Sequence, residues 1–458
     1  MASSRRTRRG QALVVAILAL TILVTAAIAL SGVARMEVRA ARRGVDAVRR
    51  EALLRGAVSR GIALLDQGRT DSAALLDALR RYRELRWEPV PELSGPDQPP
   101  LQVALQLVDT CSRLNVNTAD RETLERLEAV DKDTVSEILA WREEDRGDDD
   151  ETYSGTPRPY DPKDRPFDTV EELLMVRGVE PPLFYGPPTV AEARSLRYPP
   201  LTELLTTFSG DNNTDPEGHP RADLNRASAE ELIEAANRGG NLVTRRLAET
   251  IVQRREERER QRRPPFRSVL EAVVEAMGNG GDNSQFFDPS VKEEDAVERI
   301  LYAWTADRRS FAAGKVNLNT APPLVLRTLG WSDTQLQALM EKRRERPDGF
   351  RWVDLIEMVL SPMGLGGNPG DDANSRMLQR IERAVSVRSS TYLVRCLVRD
   401  PQTGRVDAVA ATVYWPASPD EAAQIVQWRE PDRYPGWSAW YRVPGEEEGA
   451  TSDRNGRQ

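Results

Sequence analysis

The sequence predicts an α+β fold in which a long N-terminal helix precedes a small antiparallel sheet and a large all-α insertion interrupts that sheet. Three observations support this prediction. An uncharged apolar run at residues 12–30 continues into an amphipathic helical pattern. Three related helical segments fill the middle of the 458-residue chain. Alternating apolar residues, typical of β-strands, flank these segments at residues 101–107 and 391–415.

The N-terminal helix begins with a segment long enough to cross a membrane. About twenty apolar residues span a bilayer core of about 30 Å, and an arginine cluster ending in Gly10 precedes the run. Apolar residues then recur at three- and four-residue steps, at Val38, Ala41, Val45, Val48 and Ala52. The first proline is Pro89, so we expect one helix over residues 11–66, about 80 Å long. A secretory signal peptide and an ordinary retained anchor are the alternatives.

The composition argues against several classes of function. The net charge is −8 although the N-terminal part is rich in arginine, so the rest of the chain is acidic and disfavours a nucleic-acid partner. His219 is the single histidine, which argues against a histidine metal cluster and against histidine-dependent catalysis. Cys111 and Cys396 are a candidate pair for one disulfide outside the cytoplasm, with two separate core thiols as the alternative.

Three related segments predict three small helical modules, at about residues 113–180, 221–280 and 315–365. Each segment opens with an aligned asparagine and an aligned alanine, continues through an apolar-x-x-x-Arg step and reaches a Phe-x-x-Val step. The aligned residues are Asn117, Asn225 and Asn319, followed by Ala119, Ala227 and Ala321. We expect these asparagines to bond nearby backbone groups before a helix.

The N-terminal helix, behind a short basic leader that ends in glycine, resembles the type IV pilin and type II secretion pseudopilin families. The resemblance implies that a prepilin peptidase cleaves after Gly10 and leaves Gln11 as the mature N-terminus. Most members then carry glutamate at the fifth mature residue, where this chain has Val15. The lack of this glutamate is typical of one branch, the minor pseudopilin K family of the type II secretion system.

The helical modules resemble helix-hairpin-helix motifs, which are the second feature of that branch. DNA-binding versions use a tight glycine hairpin whose backbone N–H groups hold a phosphate. The corresponding turns, residues 128–131, 238–241 and 329–332, lack the two-glycine signature in the right form. We therefore do not expect nucleic acid as a partner. A membrane-anchored helix-hairpin-helix receptor for DNA uptake is the alternative function.

The resemblance also implies a pilin-like layout, with the sheet packed on the helix over residues 33–65. The expected segments are a basic leader (1–10), the N-terminal helix (11–66), the first part of the α/β body (67–112), the helical insertion (113–380), a β-hairpin with a Trp-rich segment that completes the body (381–443) and a disordered tail (444–458).

The stretch from Asp211 to Glu217 is the candidate metal site. Asp211, Asn213, Asp215 and Glu217 place oxygen atoms at alternate positions, and Ca²⁺ takes about six to eight oxygen ligands. The resemblance favours calcium, because family members bind it in their helical part. An ordinary polar surface turn is the alternative.

The implied function is non-catalytic. The resemblance predicts a minor pseudopilin at the tip of the type II secretion pseudopilus, which helps to start its assembly and supports protein export across the outer membrane. The expected location is the inner membrane, with a single span and the C-terminal body in the periplasm. The expected partners are other minor pseudopilins, inner-membrane secretion components and the prepilin peptidase.

Overall fold

The computed structural model describes residues 3–69, 71–90, 100–143, 160, 162–186, 197–277, 285–359, 380–401, 404–418, 420–431 and 443. The chain divides into two compact units, Met1–Gly56 and Ala57–Gln458. The predicted disordered tail at 444–458 lies outside the described residues, and so do residues 432–442 of the Trp-rich segment.

Helix α1 runs from Ser3 to Gln67. It therefore begins inside the leader rather than at Gln11, since nothing in the arginine-rich leader strongly disfavours a helix. In the first unit, the stretch Ile17–Ala41 is long and apolar enough to span a membrane. The apolar side chains of Val38, within this stretch, and of Val45 and Val48, after it, are exposed.

In the second unit, the end of α1 packs on a five-stranded sheet. The strands are β1 (Trp87–Val90), β2 (Leu101–Asp109), β11 (Thr391–Arg399), β12 (Val406–Tyr414) and β13 (Gln424–Arg429), hydrogen-bonded in that order and all antiparallel. A Cβ added at Gly61 would lie 2.5 Å from Cγ1 of Val394 and 3.3 Å from Cδ1 of Leu105. Glycine thus allows helix and sheet to approach closely. The α+β fold class is confirmed.

The helical insertion lies between β2 and β11, which are neighbours in the sheet although nearly 300 residues separate them in sequence. It therefore leaves the sheet continuous. In the second unit, the buried apolar residues of α1 are Ala57, Val58 and Leu65. These residues lie within the predicted contact surface over residues 33–65.

Three modules of similar construction make up the insertion. Each opens with a two-residue strand and closes with another, and the two strands pair in parallel. The pairs are β3 (Leu114–Asn115) with β4 (Leu205–Thr206), β6 (Ala222–Asp223) with β7 (Trp304–Thr305), and β9 (Val316–Asn317) with β10 (Val385–Ser386). The insertion is therefore mainly helical rather than all-α.

The predicted module ends, at about residues 180, 280 and 365, are too early. A two-residue strand is too short to show a period, so the closing strands cannot be recognised from the pattern of residues. The helices of the first module are α3 (Arg121–Glu125), α4 (Lys132–Arg142), α5 (Pro181–Tyr185) and α6 (Leu201–Leu204). Those of the second are α7 (Ala229–Ala236), α8 (Arg245–Arg260), α9 (Val269–Met277) and α10 (Glu293–Ala303). Those of the third are α11 (Pro323–Thr328), α12 (Asp333–Glu345) and α13 (Trp352–Val359).

The segments that connect the modules meet one another. Strand β5 (Gly210–Asn212), which follows the first module, pairs antiparallel with β8 (Phe311–Ala313), which follows the second. The segment after the third module joins them, because the Ser390 amide donates to the Gly210 carbonyl at 3.0 Å. The predicted candidate metal site lies in the first of these connectors.

Candidate functional site

The aligned asparagines fasten each module internally. In every module the asparagine Nδ2 donates to the carbonyl of the aligned phenylalanine, and its Oδ1 accepts from the amide of the same residue. The pairs are Asn117 with Phe167 (2.9 and 2.8 Å), Asn225 with Phe266 (2.9 and 2.9 Å) and Asn319 with Phe350 (3.0 and 2.6 Å). The repeated asparagine is thus structural, although its partner lies much further along the chain than we expected.

The aligned arginines have a similar structural role. Arg142 donates to the carbonyl of Ala119 at 2.7 Å, and Arg255 donates to that of Ala227 at 2.9 Å. Arg343 donates to the Ala321 carbonyl at 2.8 Å. Each arginine therefore ties the second helix of its hairpin to the opening of its module, and this explains the apolar-x-x-x-Arg step.

The hairpin turns offer little to a phosphate group. In the first module, Glu128 has a φ of +54° and Asp131 caps α4 by accepting from the Thr134 amide at 2.7 Å. In the second, Asn237 Oδ1 accepts from the amides of Leu242 and Val243 at 2.9 and 3.0 Å. Acidic or amide oxygens therefore occupy backbone N–H groups that a DNA-binding hairpin would turn towards a phosphate.

The structure does not bring the four predicted calcium ligands together. Asp211 lies in β5, where its Oδ1 accepts from Ser390 Oγ at 3.0 Å and its Oδ2 is 3.9 Å from Arg221 Nη2. The side-chain amide of Asn213 donates to the Asp307 carbonyl at 2.8 Å. These two residues are held by separate partners, because strand pairing between β5 and β8 orders them.

The other two predicted ligands lie near the single histidine. One ligand atom from each of Asp215, Glu217 and His219 falls within 4.8 Å of the others. However, Arg238 Nη1 is 3.2 Å from Asp215 Oδ2, and Arg299 Nη1 is 4.0 Å from Glu217 Oε1. Two guanidinium groups and an imidazole do not fit Ca²⁺, which takes oxygen ligands and is repelled by nearby cations. Ion pairs therefore hold this loop, and calcium binding through the four residues stays a prediction.

Hydrogen bonds keep Asp215 ionised in this loop. Burial acts to raise its pKa, but the His219 amide donates to Oδ1 at 2.8 Å and the His219 ring and Arg238 also bond the carboxylate. The bonds outweigh the burial, so the pKa of Asp215 lies below its ordinary value.

The candidate disulfide is not formed, since Cys111 and Cys396 are both free and buried. Cys396 is paired with Leu105 across the sheet, whereas Cys111 follows the end of β2, six residues further along. The four strand residues from Leu105 to Asp109 alone, at about 3.3 Å each, carry the chain about 13 Å away from Cys396, well beyond the limit of about 7 Å for a disulfide. Burial raises the pKa of both thiols, so both are protonated at neutral pH.

Sequence reasoning missed the buried carboxylate of Asp109 at the end of β2. Its Oδ2 accepts from Asn317 Nδ2 at 2.8 Å, Thr320 Oγ1 at 2.5 Å and Ser389 Oγ at 2.8 Å, while its Oδ1 accepts from the Cys111 amide at 2.8 Å. Burial raises the pKa of Asp109, although the four hydrogen bonds oppose the shift. Asp109 therefore joins the sheet, the third module and the chain that returns to β11.

Gly10 and Gln11 lie within α1, and the peptide bond between them is thus part of a continuous helix. Among the described residues, no other predicted site is located in the first unit.

The comparisons with known proteins give one family match and one structural likeness. Residues 111–185 match the family model for protein K of the type II secretion system, first domain. A structure search finds the crystal structure of the GspK-GspI-GspJ complex from the enterotoxigenic Escherichia coli type 2 secretion system, at 12% identity and a TM-score of 0.41, covering 86% of this chain and 99% of that chain. No curated protein matches the chain. The family match confirms the resemblance predicted from the sequence.

Proposed function

We propose that this chain, whose residues 111–185 match protein K of the type II secretion system, is a minor pseudopilin at the tip of the pseudopilus. In this role it has no catalytic activity. Its N-terminal helix is held in the inner membrane by the uncharged part of the stretch Ile17–Ala41, which ends before Arg35, and the body is in the periplasm. A prepilin peptidase removes the leader after Gly10.

The position of the helical modules is the observation that carries this proposal. They enter after β2 and leave before β11, so they add more than half of the chain to the body without interrupting the sheet or the helix that packs on it. An added mass of this size suits the last subunit of a fibre, because it would obstruct the stacking of a further subunit. A glutamate at position 15 would need a neighbouring subunit to neutralise its charge in the membrane, because an unpaired charge is costly there. A tip subunit has no such neighbour ahead of it, so it is better without this glutamate.

Exposed apolar side chains along one side of α1 form the surface that would pack against other minor pseudopilins. Val38 and Val45 lie on one side of the helix, at 51% and 67% exposure, and seven residues separate them. Apolar side chains exposed on a regular helix are suited to packing against a second helix. In the E. coli complex, GspK is found together with GspI and GspJ.

The test is co-purification of the full chain with its companion pseudopilins from detergent-solubilised membranes. Val38→Asp with Val45→Asp should abolish recovery of proteins that are synthesised with a prepilin leader. Ala40→Asp with Ala47→Asp is the matched control, because it places the same charges on the opposite side of the helix, and it should retain most of the recovery. Equal recovery from both variants would contradict the proposal.

A gel-shift assay on the full chain in detergent distinguishes the proposed function from the alternative, a membrane-anchored DNA receptor. We expect no retarded duplex, because amides beside the hairpin turns of the first two modules, those of Thr134, Leu242 and Val243, are already occupied. Tight binding that weakens steeply with salt would favour the receptor.

A further inference from the structure

Exposed arginines are concentrated at one end of the second module. Residues 260–267, which we call the arginine loop, follow the last turn of α8 and contain four arginines and no acidic residue. All four are exposed: Arg260, Arg262, Arg263 and Arg267. This concentration of positive charge is unusual on a chain with a net charge of −8.

Most of this charge is not neutralised by described neighbours. Arg263 is 3.4 Å from a Glu275 carboxylate oxygen. Arg260, Arg262 and Arg267 form no ion pair with any residue that the structure describes. The arginine loop therefore presents three guanidinium groups to an external partner.

The backbone of the arginine loop is fixed in a conformation that arginine does not favour. Arg262 has a φ of +55°, in the left-handed region, where α8 ends. Its amide donates to the Glu259 carbonyl at 3.0 Å, and the Arg263 amide donates to the Arg258 carbonyl at 2.8 Å. Glycine is the usual residue at such a helix end. An arginine held there is consistent with a use for its side chain.

The buried Arg258 orders the arginine loop through contacts on its interior side. Arg258 places one Nη atom 2.6 Å from Glu271 and the other 2.6 Å from Glu275, and its Nε donates to the Pro264 carbonyl at 3.1 Å. Its guanidinium group also lies over the ring of Phe266, 4.4 Å from the centroid. These contacts order the loop before any partner arrives, which reduces the entropic cost of binding.

We infer that the arginine loop is a docking site for an acidic protein segment. Guanidinium groups bind carboxylates in a planar, two-bond geometry. Neither a membrane nor a nucleic acid fits as well. The exposed residues of the loop are Arg, Gln and Pro, while Phe266 is buried, so no exposed aromatic side chain is available to enter lipid or stack on a base.

The experiment measures binding of a fluorescent peptide of alternating Asp and Ser to the full chain in detergent micelles, by anisotropy. A peptide with Asn in place of Asp controls for charge. The test variant is Arg260→Ser, Arg262→Ser and Arg267→Ser. The matched control is Arg86→Ser, Arg226→Ser and Arg308→Ser, which removes the same charge from exposed positions elsewhere.

We expect the Asp peptide to bind the wild type and the control variant alike, and to bind the test variant about tenfold more weakly, since three exposed charge contacts are removed. Failure of the peptide to bind, or equal weakening in both variants, would overturn the inference. Fluorescent phosphatidylglycerol nanodiscs and a DNA duplex are tested in the same way. Tighter binding of either probe that requires the three arginines would also overturn the choice of an acidic protein. None of these results depends on assembly of a pseudopilus.

Discussion

The carboxylate of Asp109 accepts a hydrogen bond from Thr320 Oγ1 at 2.5 Å, across 211 residues of sequence. The strand β2 ends at Asp109, and Thr320 lies in the opening of the third module. The module that is last in sequence is therefore fixed to the point where the chain leaves the sheet. The hydrogen bonds of Asp109 therefore help to hold the start of the insertion close to its end.

Replacing this carboxylate should weaken the whole body. Asp109→Asn leaves one side-chain oxygen for four donors and turns an NH₂ group towards some of them. Loss of the buried charge offsets part of this cost, so we expect destabilisation of about 2 kcal/mol. The measurement is urea unfolding of the full chain in detergent, followed by tryptophan fluorescence. Asp420→Asn, at an exposed position, should change stability by less than about 0.5 kcal/mol. Equal effects of the two variants would contradict the role of Asp109.

Because α1 contacts the sheet at Gly61 but not at Gly56, alanine substitutions of these two glycines should have opposite effects on stability. An alanine Cβ at Gly61 would lie 2.5 Å from Val394, whose buried side chain has little room to move, whereas Gly56 has nothing within 4 Å. Gly61→Ala should therefore destabilise the body by about 1–3 kcal/mol. Gly56→Ala should stabilise the helix by up to about 1 kcal/mol, because alanine is the better helix former. Thermal melts of the two variants test this, and a gain in stability for Gly61→Ala would be incompatible with the contact.

The hydrogen bonds that Asp215 accepts from His219 and Arg238 should give a defined pH dependence. A carboxylate whose pKa is held below its ordinary value contributes stability above about pH 4, and this contribution is lost as the pH falls through the lowered pKa. The difference in unfolding free energy between the wild type and Asp215→Asn should thus be largest above about pH 4 and should shrink towards pH 2. A difference that stays constant over this range would show that the pKa of Asp215 is not lowered.

Calcium should not stabilise the protein through the loop that contains Asp215. The guanidinium groups of Arg238 and Arg299 already face its carboxylates. A ligand that binds only the folded state stabilises it by RT ln(1 + [L]/Kd) and so raises the melting temperature as its concentration increases. We therefore expect the same melting temperature in millimolar CaCl₂ and in EDTA. A clear rise with CaCl₂ that is lost in Asp215→Ala would restore the calcium site.

The long strands could be predicted closely from sequence, because alternation over nine residues is a strong signal. Strands β2, β11 and β12 lie where the pattern places them. Strand β1 contains Pro89 and lies at the edge of the sheet, a position where a proline does not disturb pairing. The closing strands of the modules are two residues long and carry no period, so the predicted modules are shorter than the observed ones.

The individual sites could be predicted less well, because they depend on contacts between distant residues. Alternating oxygen ligands in the sequence do not reveal that Arg238 would face Asp215 or that Ser390 would bond Asp211. The alternation of side chains along the strands predicted that Cys111 and Cys396 lie on the same face of the sheet. The register of the strands, however, places them far apart along the sheet. Nothing in the sequence near Asp109 marks it, because three of its four donors lie more than 200 residues away.

The mature N-terminus of the native protein tests the central claim most directly. A pseudopilin enters its fibre only after its leader is removed, so mass spectrometry of the chain purified from its own membranes should find Gln11 as the first residue. A Gly10→Val variant, with a β-branched residue before the cleavage site, should retain the leader and supply the matched reference mass. Native protein that still begins at Met1 would contradict the account.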